Sequence, residues 1–190
     1  MIRLIGVSGS LRSASFNTAL LRTAAELMPA GATLNVHTLH GVPLYDADVE
    51  EADGIPGPVA ALKEAVATAD GVILGTPEYN NGIPGVFKNA IDWASRPPED
   101  SARVFKDRPF AIIGASPGGF GTILSQNHWL PVLRTLGVDL WPGGRLLVSH
   151  AAKVIGEDGK VIDQETRDQI ERFIAGFVSY LADRGRAKST

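Results

Sequence analysis

Two rhythms of apolar and polar positions run along the chain. One is the short continuous apolar run; the other places an apolar residue at every third or fourth position. Residues 2–7, IRLIGV, belong to the first kind and predict a strand buried on both faces. Beyond a polar loop, Leu20, Leu21, Ala24, Ala25 and Met28 follow the helical period, with Asn17 as the expected cap and Pro29 and Gly31 as the stop. Residues 32–39, ATLNVHTL, alternate and predict a second strand, and the three prolines within 40–58 predict a long loop. A second helix is expected from about Val59 to Ala69, with Val59, Leu62, Val66 and Ala69 on one face.

The rhythm then repeats. Segment 70–80, DGVILGTPEYN, centres a third buried strand on Val72–Leu74, and Pro84 opens a helix that runs to about Trp93. Residues 95–108 read as a polar connection, and 109–116, PFAIIGAS, as a fourth buried strand. A fourth helix spans about Ile123 to Leu136. A short strand follows near Val138–Leu140, extended or replaced by 144–149, GRLLVS. Residues 156–159, GEDG, form a turn. The last helix covers about Asp163 to Asp183, with Ile170, Phe173, Ile174, Phe177, Val178 and Leu181 as its buried stripe, and 184–190 are expected to fray. Strands and helices thus alternate five times. Right-handed crossovers turn this into one α/β domain over 1–190, a doubly wound five-stranded parallel sheet with helices on both faces. Ligands bind such sheets beyond the carboxyl ends of the strands, so the loops after strands one, three and four carry the chemistry.

Composition narrows the classes. The 190 residues suit one domain, and a formal net charge of -3 argues against a nucleic-acid surface. With no cysteine, disulfides, thiolate nucleophiles and Cys-ligated metals are excluded. Redox chemistry would need a bound cofactor. The apolar start is too short for a signal peptide, and no apolar run approaches a membrane span, so a cytoplasmic location is expected. His37, His40, His128 and His150 lack metal-ligand spacing, so no metal site is expected.

The first loop, GVSGSLRSASF (6–16), offers serine hydroxyls, Arg12 and the free N–H groups of a helix start, which together suit one terminal phosphomonoester. A serine-rich turn with an N-cap reads the same residues more plainly. Neither the lysine of a nucleoside-triphosphate loop nor the dinucleotide glycine pattern is present. The second loop, TPEYNNGIPG (76–85), is stiffened by two prolines. It either presents backbone groups to the edge of a planar heterocycle, with Tyr79 covering the ring, or is a plain turn. The third, GASPGGFG (114–121), either leaves room for a flat ligand or is a flexible glycine turn.

Together GSLRSASFN (9–17), PEYNNGIPGVFKNAIDWASRP (77–97) and SPGGFG (116–121) resemble the NADPH-dependent FMN reductase family of flavodoxin-like proteins, which includes chromate, quinone and azo-dye reductases. The third motif departs from the family at Thr122 and Ile123, where a glycine and an alanine are common. The resemblance implies an FMN-dependent oxidoreductase that takes hydride from NADPH or NADH and passes it to a small-molecule acceptor with ping-pong kinetics. It implies that Ser10, Arg12, Ser15, Phe16 and Asn17 surround the FMN phosphate, and that Arg12 also helps hold the pyridine nucleotide. Pro77, Glu78, Tyr79, Asn80 and Gly82 would line the ring and ribityl chain, with Ser116, Gly118, Gly119 and Gly121 on the other side. Glu78 would orient its loop or, alternatively, act as a general acid. A homodimer or homotetramer is also implied, with Trp93 and 95–108 as interface candidates. Two rivals share the fold. A flavodoxin-type carrier would be more acidic and would have a threonine-rich phosphate loop. A signalling receiver needs an acidic cluster that Gly6–Ser10 does not supply.

Overall fold

The computed structural model describes residues 1–187. In chain order it consists of β1 (Ile2–Ser8), α1 (Phe16–Glu26), β2 (Ala32–Thr38), α2 (Ala47–Asp53), α3 (Gly57–Ala67), β3 (Gly71–Gly75) and α4 (Gly85–Ala94). These are followed by α5 (Pro98–Phe105), β4 (Pro109–Ala115), α6 (Ile123–Thr135), β5 (Asp139–Leu140), β6 (Leu146–Val148), α7 (Ala151–Val154) and α8 (Gln164–Ala187). All strand pairings are parallel, in the order β2-β1-β3-β4-β5, with β6 also on β4. That order is the flavodoxin-like doubly wound topology.

The expected fifth strand is a single edge strand in two pieces. Asp139–Leu140 pair with the start of β4 and Leu146–Val148 with its end. Pro142, Gly143 and Gly144 interrupt the edge between them, and Trp141 turns inward there, its ring 5.1 Å from that of Phe173.

Strands β3 and β4 are buried at every residue, as their unbroken apolar runs require. One hydrophobic cluster joins α1 and α8 to one face of the sheet through Leu20, Leu21, Ile73, Ile113, Ile174 and Phe177. The other joins α3, α4, α5 and α6 to the opposite face through Leu62, Val66, Leu74, Phe87, Phe105 and Trp129.

Several expectations need correction. The cap of α1 is Ser15, whose hydroxyl accepts from Thr18 N at 3.2 Å; Asn17 lies inside the first turn. Two short helices, α2 and α5, occupy segments read as loops. Trp93 is fully buried: its Nε1 donates to Pro43 O at 3.0 Å, and Tyr45 packs edge-on at 4.9 Å, so no surface is left for a subunit contact. Helix α8 runs on through 184–187, where fraying was expected; Lys188–Thr190 lie outside the described residues.

Helix α5 is held by charge. Buried Lys63 of α3 donates to Arg96 O and pairs with Asp100 at 2.9 Å, and Arg103 approaches the same carboxylate at 2.6 Å. Hydrogen bonds from Arg103, then from Lys63, hold the Asp100 carboxyl far below the usual range. A depressed carboxyl pKa contributes stability that is complete above its unfolded value, about 3.9, and is lost as pH falls below it. Acid unfolding curves should therefore fall more steeply below about pH 4 in the wild type than in Asp100→Asn, whose stability at neutral pH is already reduced. Parallel curves would contradict this.

Candidate functional site

At the carboxyl ends of β1, β3 and β4, backbone and side-chain bonds lock the three loops together. Gly9 N donates to Gly75 O at 2.9 Å, and Thr76 N donates to Ile113 O at 2.9 Å. Asn17 reaches across from α1 to β4: its Nδ2 donates to Ala115 O and its Oδ1 accepts from Ala115 N, both at 2.9 Å. Ser10 Oγ and Tyr79 OH lie 3.4 Å apart, longer than a strong hydroxyl pair. They bring the first and second loops into contact.

The start of α1 follows directly on the first loop. Ser10 and Ser15 are buried, and Ser10 Oγ accepts from Arg12 N at 3.2 Å. Both hydroxyls act as acceptors in these bonds, which leaves the Ser15 proton for a ligand and the Ser10 proton for a ligand or for Tyr79 OH. The N–H groups of Phe16 and Asn17 occupy the first two helical positions, which have no partner within a helix. The Arg12 guanidinium lies over the Phe16 ring, 5.7 Å from its centroid. A cleft of about 570 Å³ runs along the outer side, between Arg12–Phe16 with Arg22 and residues 156–159.

The second loop is a two-residue hairpin. Tyr79 and Gly82 exchange backbone bonds at 3.2 and 3.0 Å, and Asn80 and Asn81 both adopt positive φ, 49° and 63°. This is the type I′ arrangement, to which asparagine is suited. Pro77 is buried, Glu78 and Gly82 are half-buried, and Tyr79 and Asn80 are exposed.

The third loop is clamped by residues 148–151, whose contact with it no sequence pattern announced. Ser116 N donates to Val148 O at 3.0 Å, His150 N to Gly118 O at 2.9 Å and Ala151 N to Ser116 O at 3.0 Å. His150 itself sits in the left-handed region at φ 51°. No local signal marks it, because the clamp joins segments about thirty residues apart. Ser116 Oγ donates to Gly121 O at 2.5 Å. Gly121 is buried at φ 61°, where a Cβ would press on Leu147 at 3.0 Å, so the fold itself needs this glycine.

The other glycines behave differently. A Cβ on Gly82 or Gly119 would come no nearer than 3.7 Å to any neighbour, and one on Gly118 no nearer than 3.9 Å, with φ outside the left-handed region at all three. The protein's own packing gives no reason for glycine there. Bare backbone at these three positions would let a flat ligand approach closely.

Two side chains have internal duties that the sequence did not disclose. The Asn17 amide is committed to β4, so its contribution to an anion is its backbone N–H. One oxygen of Glu78 accepts from Leu124 N at 2.8 Å and Ser125 N at 3.0 Å. Thr76 was also missed: its hydroxyl pairs with Ser125 Oγ at 2.9 Å and accepts from Trp129 Nε1 at 3.0 Å. A larger concavity, about 900 Å³, lies at the far end of the sheet against Met1, Asp70, Arg108 and Leu181. It faces the amino ends of the strands, and the arginines there are engaged, Arg108 with Ala69 O and Arg184 with Asp139.

The strand order defines a flavodoxin-like domain, with three loops tied together at the carboxyl ends of its strands. The NADPH-dependent FMN reductase profile matches residues 2–153. An NAD(P)H-dependent FMN reductase of Pseudomonas aeruginosa is 41% identical over 171 residues, 90% of each chain. A 2-hydroxy-1,4-benzoquinone reductase of a Burkholderia species is 36% identical over 183 residues, 96% of this chain and 98% of that one. The solved structure of FerB, a flavoenzyme NAD(P)H:(acceptor) oxidoreductase from Paracoccus denitrificans, superposes with a TM-score of 0.83 at 33% identity, covering 96% and 98% of the two chains. The chain belongs to the NADPH-dependent FMN reductase family, and it is an oxidoreductase.

Proposed function

We propose that this protein holds FMN across the three loops and uses NAD(P)H to reduce quinones and related small acceptors, among them azo dyes, metal oxyanions and free flavin. The observation that carries the reading is the open Cβ space at Gly82, Gly118 and Gly119, in loops at the same strand ends as a helix start rich in hydrogen-bond donors. A planar ring with a phosphate at one end fits both. Ser10, Arg12, Ser15 and the N–H groups of Phe16 and Asn17 would hold the phosphate, with the helix dipole in support. Pro77, Tyr79, Asn80 and Gly82 would line one side of the ring, and Ser116, Gly118 and Gly119 the other. Gly121 supports that wall from within.

FMN, when bound, supplies the hydride-accepting and hydride-donating chemistry. The chain would orient the ring, keep its exposed side open to NAD(P)H and acceptor in turn, and stabilise negative charge with the backbone N–H groups of Glu78, Asn80, Gly118 and Gly119. No side-chain nucleophile is needed. One groove used alternately gives ping-pong kinetics.

A homodimer or homotetramer and a cytoplasmic location remain part of the proposal. Exposed Phe120 and Leu124, in the third loop and the first turn of α6, offer apolar surface that such an interface would cover. No helix among the described residues is long and apolar enough to cross a membrane. The carrier alternative is not favoured, because the relatives named above are reductases that use NAD(P)H.

Steady-state assays with NADPH and benzoquinone, varied against each other, should give parallel double-reciprocal lines with the FMN-loaded protein. Intersecting lines would overturn the alternating use of one groove. The absence of any quinone-dependent NAD(P)H oxidation would overturn the function.

A further inference from the structure

Helix α6 starts without a cap of its own. Thr122 occupies the N-cap position but makes no side-chain bond to the helix start; its Oγ1 accepts from Gln126 Nε2 at 3.2 Å. The first N–H groups of a helix have no partner within it. Two of them, on Leu124 and Ser125, are satisfied by one oxygen of Glu78, which lies 46 and 47 residues earlier in the loop after β3. The carboxylate also stands at the positive end of the helix dipole. A second tie runs beside the first, from Thr76 Oγ1 to Ser125 Oγ and Trp129 Nε1. Residues 116–122 are strung between β4 and this same helix start. The second and third loops therefore share an anchor at the first turn of α6, beside the clamp of the third loop by residues 148–151.

We infer that Glu78 is a positioning residue: by capping α6 from the opposite loop, it fixes the spacing between residues 77–82 and residues 116–121. The inference rests on the FMN reading, since that spacing is the slot for the ring. One carboxylate oxygen, Oε2, accepts both N–H bonds, which fixes how far the side chain must reach. What matters here is the reach of the side chain, not its acidity.

Three variants of the full chain separate reach from charge. Glu78→Gln keeps the length and an acceptor oxygen but loses the charge and the titrating proton. Glu78→Asp keeps the charge and the proton but is one methylene shorter and cannot hold both N–H groups. Glu78→Ala removes everything. The readouts are FMN affinity by fluorescence titration, visible circular dichroism of the flavin at saturation, kcat and KM with NADPH and benzoquinone, and far-UV circular dichroism for the fold.

Glu78→Gln should stay within about fivefold of wild type in FMN affinity, the loss arising from the missing charge at the helix dipole, and keep the wild-type visible spectrum. Glu78→Asp and Glu78→Ala should weaken FMN by about tenfold or more and alter the spectrum at saturation, with the far-UV signal retained. An order in which Asp outperforms Gln would overturn the inference in favour of charge or proton transfer. Wild-type affinity and spectrum in Glu78→Ala, with only a lower Tm, would reduce Glu78 to a structural cap. If the wild-type protein binds no FMN, the functional reading fails first; if it binds FMN and the order is reversed, only the role of Glu78 fails.

Discussion

Asn17→Ala should destabilise the protein by about 3 kcal/mol, because it strips both partners from a buried backbone group. The Asn17 side chain is 3% exposed and carries a matched pair of bonds to Ala115, the last residue of β4. Alanine would leave the Ala115 N–H and C=O unpaired, each at a cost of about 1–3 kcal/mol. For a chain of this size that corresponds to a fall in Tm of roughly 10 °C, measurable by calorimetry and by urea unfolding. Asn17→Asp should be no better, since it keeps the acceptor but sets an oxygen against Ala115 O. FMN affinity should drop as well, because the third loop starts at the next residue. A loss below about 1 kcal/mol would mean that water replaces the amide and that the tie between α1 and β4 is incidental.

The second large effect is a contrast between glycines. A Cβ on Gly114 would lie 1.9 Å from Thr122 Oγ1 and 2.5 Å from the backbone oxygen of Thr76, so Gly114→Ala should compromise folding itself. On Gly82 or Gly119 the nearest atoms are 3.7 Å away, an ordinary contact, so alanine there should leave the Tm within about 2 °C of wild type. Yet both substitutions should weaken FMN by about tenfold or more, because the methyl group enters the space assigned to the ring. Flavin titration beside thermal melts checks this. Undisturbed FMN binding in both variants would move the ring elsewhere.

The parts of the fold legible in the sequence are those written as local apolar rhythm. The runs IRLIGV, VIL and PFAII became β1, β3 and β4, and the stripe Ile170–Leu181 became the buried face of α8. Helix α2 escaped because ADVEEAD buries no residue and so has no apolar stripe. Helix α5 buries only Val104 and Phe105, although proline in its first turn followed by Glu99 and Asp100 is a helix-start signal that could have found it. The identity of the α1 cap was also open to local reasoning, since a serine two residues before Asn17 serves equally well.

The candidate site was legible as three loops but not as a set of bonds. The duties of Asn17 and Glu78 depend on partners 98 and about 46 residues away, which no local pattern encodes. The glycines looked alike in the sequence. Only the surrounding atoms separate Gly121, which the fold requires, from Gly118 and Gly119, which it does not. Trp93 likewise looked available at the end of a helix until its ring was found enclosed by Pro43 and Tyr45.

The most direct measurement is anaerobic reduction of the reconstituted protein. FMN is added to the purified chain, excess is removed, and the visible flavin band is followed as NADPH is mixed in without oxygen. The account predicts a retained yellow band that bleaches rapidly with one equivalent of NADPH and returns when benzoquinone is added. A flavin that stays bound but is not reduced by NADPH or NADH would contradict the enzyme in favour of a carrier, and a chain that retains no FMN would contradict the site.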